Sequence, residues 1–131
     1  MKNILKLSSM ALILALTLAG CGAATVQNVP QQPITAELAK TNSDVFNAIK
    51  KAGAPLGWII KETGEGVAEG TLYLRNHVAI IDIAYNTKAY SITYKSSQNL
   101  GYNAENNTIH SNYNGWIQNL NNAIRVQLSL L

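Results

Sequence analysis

Alternation of apolar and polar residues across positions 67–95 constrains the fold of this chain more than any other feature of its sequence. Apolar side chains recur at every second position, as at Ile81 and Ile83, which is the period of a β-strand with one buried face. The alternation is interrupted at residues 75–77 and 86–88. These breaks are too short to hold crossover helices, so we expect successive strands to be antiparallel neighbours.

Helical patterns flank these strands. Polar residues 41–44 can cap a short helix over about 43–52, and a further strand is expected over 56–63. From Tyr113 to the C-terminus, apolar residues recur on one helical face, although Gly115 weakens the start of this segment. The predicted fold is α+β: a short helix, a four-stranded antiparallel meander sheet, and a C-terminal amphipathic helix packed on one face. The polar segment between the last strand and the last helix is expected to be an ordered loop.

The N-terminus has the three-part layout of a signal peptide. Lys2 and Lys6 precede a largely apolar run over residues 7–18, and small residues then lead to Cys21. The run contains about a dozen residues, whereas a membrane-spanning helix needs roughly 20. We therefore expect a cleaved leader rather than a permanent membrane span.

The end of this leader, Leu18-Ala19-Gly20-Cys21, resembles the lipobox of bacterial lipoproteins. The resemblance implies transfer of diacylglycerol to the sulfur of Cys21, cleavage before that residue, and acylation of the freed amine by a palmitate-like chain. Two or three acyl chains anchor a protein firmly, because each buried methylene contributes about 0.8 kcal/mol. Gly22 resembles the residue found there in lipoproteins sorted to the outer membrane. The alternative is a soluble secreted protein with a spare thiol.

The leader defines the expected domain organisation. Residues 1–20 are the lipoprotein signal peptide, residues 21–40 are the lipidated cysteine with a flexible tether, and residues 41–131 are the globular domain. Between positions 22 and 33 there are two prolines, three glutamines and no charged residue. Such a segment buries little, and we expect it to hold the domain up to ~40 Å from the lipid.

Charge limits the expected partners. After the leader, eight Lys and Arg face seven Asp and Glu, without a basic cluster. Nucleic acid is therefore not expected as a partner. The expected partners are the membrane, through the N-terminal lipid, and an envelope protein or a glycan such as peptidoglycan.

The candidate site residues are aromatic, imidazole and guanidinium side chains. His77 and His110 could bind metal or titrate near neutral pH, but the spacing of acidic residues and histidines matches no metal-ligand motif. We therefore predict no metal, no cofactor and no catalytic residue, and we expect His110 to cap a turn or a helix start. Arg75, His77, Tyr102, His110 and Tyr113 are the candidate ligand-binding residues, because aromatic faces beside polar groups suit glycans and protein surfaces. Tyr113 also fits the buried face of the last helix.

These observations favour a lipid-anchored envelope lipoprotein. Its domain would be a non-enzymatic binding or structural module on the periplasmic face of the outer membrane. The alternative is a small periplasmic hydrolase or metal-dependent enzyme that uses His77 and His110. No Gly-x-Ser-x-Gly nucleophile motif is present in the sequence.

A wider resemblance covers roughly residues 57–120. The pattern is similar to that of a group of small, uncharacterised proteobacterial lipoproteins. It is carried by Leu72-x-x-Arg75-x-His77, by Tyr90-Ser91-Ile92-x-Tyr94 with Ser97, Asn99, Leu100 and Tyr102, and by Ile109-His110-x-x-Tyr113-Asn114-x-Trp116-Ile117-x-Asn119-Leu120. The resemblance implies a single domain and a Gram-negative origin. It implies no activity.

Overall fold

The fold is α+β, as predicted. The structure is a computed structural model that describes residues 22–35, 37, 39 and 41–131. Its helices are α1 (Asn42–Gly53) and α2 (Asn112–Ser129), with a short 3-10 turn at Ala54–Leu56. Its strands are β1 (Ala23–Thr25), β2 (Val29–Pro33), β3 (Trp58–Gly64), β4 (Val67–Leu74), β5 (His77–Tyr85), β6 (Ala89–Gln98) and β7 (Thr108–His110).

A five-stranded antiparallel sheet forms one layer, with strand order β2-β6-β5-β4-β3. The four strands β3 to β6 are consecutive neighbours, which is the predicted meander. The predicted count of four is wrong, because β2 pairs with β6 as a fifth, edge strand. A separate two-stranded sheet joins β1 to β7, and β7 lies within the segment that we expected to be a loop.

Two parts of the predicted flexible tether are strands, which corrects that prediction for these segments. β2 runs along the sheet edge, where proline is tolerated because the missing N–H faces no partner. A contact with a residue distant in the sequence helps to hold this edge, because the Asn28 side chain accepts a hydrogen bond from the Tyr94 backbone N–H at 2.9 Å. Val26, between β1 and β2, is buried. Cys21 lies outside the described residues.

Helix α1 begins with reciprocal capping bonds. The Asp44 backbone N–H donates to Thr41 Oγ1 at 3.1 Å, and the Thr41 N–H donates to Asp44 Oδ2 at 2.9 Å. This arrangement satisfies backbone donors that the first helical turn cannot pair internally. Val45 and Ile49, on the apolar face of α1, are fully buried. The predicted helix is therefore confirmed, with one more residue at each end.

Helix α2 also confirms its prediction. The buried positions follow helical spacing and are Tyr113, Ile117, Leu120, Ile124 and Leu128. They form one continuous core with α1 and with the inner face of the sheet, where strand residues such as Ile81, Ile83 and Ile92 are fully buried. Both helices therefore cover the same face.

The other face of the sheet is not covered by either helix. Ile59 and Tyr73 are exposed on it. Near its centre, Lys95 Nζ lies 2.8 Å from Glu69 Oε2 and 3.5 Å from Asp82 Oδ1. These charges raise the pKa of Lys95, mainly through its hydrogen bond to Glu69.

Candidate functional site

Three tyrosines meet where β6 ends and α2 begins. The ring centroid of Tyr94 lies 4.4 Å from that of Tyr102 and 5.6 Å from that of Tyr113, the second pair meeting edge to face at 81°. Aromatic rings favour such offset and perpendicular contacts because their faces and edges carry opposite partial charge. We call this group the tyrosine cluster; its members are Tyr94, Tyr102 and Tyr113. The cluster brings two of the candidate residues together through Tyr94, which the candidate set did not include.

The tyrosine cluster passes from the core to the surface. Tyr113 is fully buried, whereas Tyr102 is exposed. The hydroxyl of Tyr94 lies 2.8 Å from Ser97 Oγ, but the hydroxyl of Tyr113 has no hydrogen-bond partner among the described residues. Burial raises the pKa of both Tyr94 and Tyr113. Both therefore stay neutral near pH 7 and offer apolar ring surface rather than a charged group.

His77 connects the β4–β5 turn to the chain that follows β6. Its Nδ1 lies 2.7 Å from the carbonyl oxygen of Asn99, and its ring centroid lies 6.5 Å from that of Trp116. A carbonyl oxygen can only accept, so Nδ1 carries the proton. Asn99 Nδ2 in turn donates to the Asn76 carbonyl oxygen at 2.6 Å. These two bonds hold the turn, with the exposed Arg75 at its tip, against the segment after β6.

His110 occupies a different position and makes a different bond. It is the last residue of β7, and its Nδ1 accepts a hydrogen bond from the Asn112 backbone N–H at 3.1 Å. Asn112 is the first residue of α2, so the imidazole caps the helix start, as the sequence predicts. Ser111, at the usual capping position, makes no side-chain capping bond.

The two histidines therefore use their Nδ1 atoms in separate structural hydrogen bonds. Among the residues that the structure describes, no group of three or more His, Cys, Asp or Glu side chains could hold a metal ion. Both residues nevertheless contact one stretch of backbone, His77 through its ring and His110 through its backbone N–H. His77 contacts the Asn99 carbonyl, and the His110 backbone N–H donates to the Leu100 carbonyl at 2.8 Å.

A cleft at the opposite end of the molecule was not predicted. It has a volume of about 1210 Å³ and lies between β2, with the residues after it, and the C-terminal half of α2. Apolar lining comes from Pro33, Ile34 and Leu128, and Arg125 supplies a cation. The cleft could not be found from the sequence, because one wall is the segment that composition marks as a tether.

Tyr90 lines this cleft, and its hydroxyl has a hydrogen-bond partner. It is buried, and its hydroxyl donates to Asn121 Oδ1 at 2.6 Å. Burial raises the pKa of Tyr90 to about 12, although the nearby Arg125 opposes the shift. The hydroxyl is therefore a neutral donor at physiological pH.

Comparisons with protein-family models, with curated proteins and with solved structures return no significant match. Among the described residues, neither α1 nor α2 is both long and apolar enough to span a bilayer. The candidate site is therefore defined by its own geometry.

Proposed function

We propose that this protein is a lipid-anchored lipoprotein of the bacterial cell envelope, attached through Cys21. Its domain acts as a non-enzymatic binding or structural module on the periplasmic face of the outer membrane. The observation that carries the proposal is Leu18-Ala19-Gly20-Cys21 at the end of a short apolar run. A run of this length suits a cleaved leader better than a membrane span.

The chemistry of the candidate residues supports a binding or structural role over catalysis. The Nδ1 atoms of His77 and His110 are engaged with backbone groups, and Tyr113 is buried in the core. General acid–base catalysis needs a titrating group that can reach a substrate proton. The tyrosine cluster offers ring surface and one exposed phenol instead, which suits an apolar or amphipathic partner.

Metabolic labelling tests the anchor directly. Cells that express the full chain are grown with a clickable palmitate analogue, and the purified protein is analysed by intact mass spectrometry. We expect label on the wild-type chain and a mature N-terminus at Cys21 that carries the acyl groups. The Cys21→Ser variant is the matched control and should take no label.

Two outcomes would contradict the proposal. One is an unmodified N-terminus at another position in the wild-type protein. The other is label that persists in Cys21→Ser, which would place the lipid elsewhere.

A further inference from the structure

The folded domain begins almost immediately after Cys21. β1 starts at Ala23, which pairs with His110, so only Gly22 separates the proposed lipidation site from a paired strand. Two residues of chain span at most ~7 Å. The point of lipid attachment must therefore lie close to the place where β7 ends and α2 begins.

Side-chain bonds fix β1 to that place. The Gln27 backbone N–H donates to Asn114 Oδ1 at 3.0 Å, and Asn114 Nδ2 donates to the Thr25 carbonyl oxygen at 2.9 Å. The Asn114 side chain, in the first turn of α2, thus holds the chain at both Thr25 and Gln27. This arrangement replaces the expected tether of up to ~40 Å with a short link.

Several other elements end beside this attachment point. The His110 backbone contacts Leu100, and the neighbouring Asn99 contacts His77 at the β4–β5 turn. The β3 residue Trp58 pairs with Leu72 at the same end of β4, and α1 finishes just before it. We call this end of the domain the anchor end. It comprises the start of β1, the start of α2 and the segment after β6. It also comprises the β4–β5 turn and the chain from the last turn of α1 to the start of β3.

Four of the eight exposed large apolar side chains among the described residues lie at the anchor end. Leu56 is 39% exposed, Tyr73 65%, Leu74 43% and Tyr102 40%. Leu56 follows α1, Tyr73 and Leu74 lead into the β4–β5 turn, and Tyr102 follows β6. Isolated exposed apolar residues are ordinary, but a group on one side of a small domain marks an interaction surface.

Cations outnumber carboxylates at the anchor end. Lys50 and Lys51 lie in the last turn of α1, and Arg75 is at the tip of the β4–β5 turn, so three cations surround the anchor end. Six of the seven described carboxylates lie elsewhere. They are Asp44 near the start of α1, Glu62 and Glu65 near the β3–β4 turn, Glu37 beside the cleft, and Glu69 and Asp82 near the centre of the sheet. Glu105 is the exception, because it lies in the segment after β6.

We propose that the anchor end is a membrane-contact surface for the anionic phospholipid leaflet that receives the lipid of Cys21. This inference rests on the proposed function. Tyr73, Leu74 and Tyr102 lie at the depth of the headgroups, where tyrosine is favoured because its ring is apolar and its hydroxyl is polar. The three cations face lipid phosphates. The cleft between β2 and α2 then points away from the membrane.

Site-specific fluorescence on the lipidated full chain tests this orientation. The sequence contains one cysteine, which the lipid would occupy, so an added cysteine gives a unique labelling site. Leu74→Cys places the label at the anchor end. Val126→Cys is the matched control, because Val126 is a comparably exposed apolar residue, 57% exposed, near the opposite end of α2.

Each variant is labelled with an environment-sensitive dye and reconstituted in vesicles of phosphatidylethanolamine and phosphatidylglycerol that contain a headgroup-level quencher lipid. We expect a blue-shifted emission and several-fold stronger quenching at position 74 than at position 126. Neutralising the three cations together (Lys50→Gln, Lys51→Gln, Arg75→Gln) should weaken the quenching at position 74. Lys88→Gln, beyond the far end of β5, should leave it unchanged.

The outcomes separate this inference from the function on which it rests. Equal quenching at positions 74 and 126, in protein whose Cys21 lipid is verified by mass, overturns the orientation and leaves the lipoprotein assignment intact. Absence of lipid on Cys21 overturns both. Quenching at position 74 that does not respond to the triple substitution overturns the role of the three cations.

Discussion

The unpaired hydroxyl of Tyr113 gives a prediction whose sign is unusual for a core substitution. Tyr113→Phe should stabilise the domain. The ring is fully buried and its hydroxyl has no hydrogen-bond partner among the described residues, so folding removes this group from water without replacing the lost bonds. Leaving such a group unsatisfied costs about 1–3 kcal/mol. Phenylalanine keeps the ring and its edge contact with Tyr94 while removing that cost.

We expect the free energy of unfolding to rise by about 1 kcal/mol, the low end of that range, because the core relaxes little around a ring of nearly the same shape. The midpoint temperature should rise by roughly 4 °C for a domain of this size. Tyr90→Phe is the matched control. It removes a 2.6 Å bond to Asn121, so the free energy of unfolding should fall by about 1 kcal/mol.

Urea denaturation of the mature protein, followed by circular dichroism and tryptophan fluorescence, measures both changes. The slope of the unfolding free energy against urea concentration should be the same in each variant, so that a shift in the midpoint reports a change in stability alone. A loss of about 1 kcal/mol or more in Tyr113→Phe would refute the reasoning, because it would mean that the hydroxyl makes a stabilising bond in solution.

Three further predictions concern the backbone, the β1 attachment and pH. Gly66 has φ +69°, and a Cβ there would lie 2.8 Å from the Tyr85 carbonyl oxygen, so Gly66→Ala should lower the unfolding free energy by about 1–2 kcal/mol in a urea titration. Gly115→Ala, in open space within α2, should raise it by about 0.5–1 kcal/mol; equal effects at the two glycines would contradict this account. Asn114→Ala should speed amide exchange in the chain over residues 23–26 several-fold, measured by hydrogen–deuterium exchange, while exchange in the core of the five-stranded sheet changes little. Burial raises the pKa of Tyr90 and of Tyr113 in the folded protein above the pKa in the unfolded chain. The free energy of unfolding is therefore highest below pH 10 and falls as the pH rises toward 12, by up to about 1.4 kcal/mol per pH unit for each tyrosine. Urea titrations between pH 9 and 12 should show this decline with a shallower slope in the phenylalanine variants, and a flat profile would contradict it.

The elements predicted best are those whose signal is local. α2 and the strands β4 to β6 carry a hydrophobic period that matches their own geometry, so their existence follows from residues close together in the chain. The Thr41 cap of α1 is equally local, as is the bond from the Asn112 backbone to His110. Each involves residues no more than three positions apart.

The elements predicted worst depend on distant partners. β1 pairs with β7, and β2 pairs with β6, across most of the length of the domain. β1 is only the three residues Ala-Ala-Thr, β2 contains two prolines and two glutamines, and neither carries a strand period. They become strands because β6 and β7 present free edges, which a sequence segment cannot reveal by itself.

The candidate site divides in the same way. Tyr102, Tyr113 and His77 were among the candidate ligand-binding residues. Tyr94, which links the two tyrosines, and Asn99, which accepts a hydrogen bond from His77, were not in that set. The cleft between β2 and α2 was missed because its wall was expected to be flexible.

The sequence by itself determined the α+β class, the antiparallel order of β3 to β6 and the helical cap at His110, because these depend on periodicity, short connections and near neighbours. Only the tertiary structure decided that the chain after Cys21 pairs with β7, that Lys50, Lys51 and Arg75 lie toward the same end of the domain, and that a cleft opens at the far end. These features arise from pairing between residues far apart in the chain, and the free energy that selects such pairing is gained only when the whole core closes.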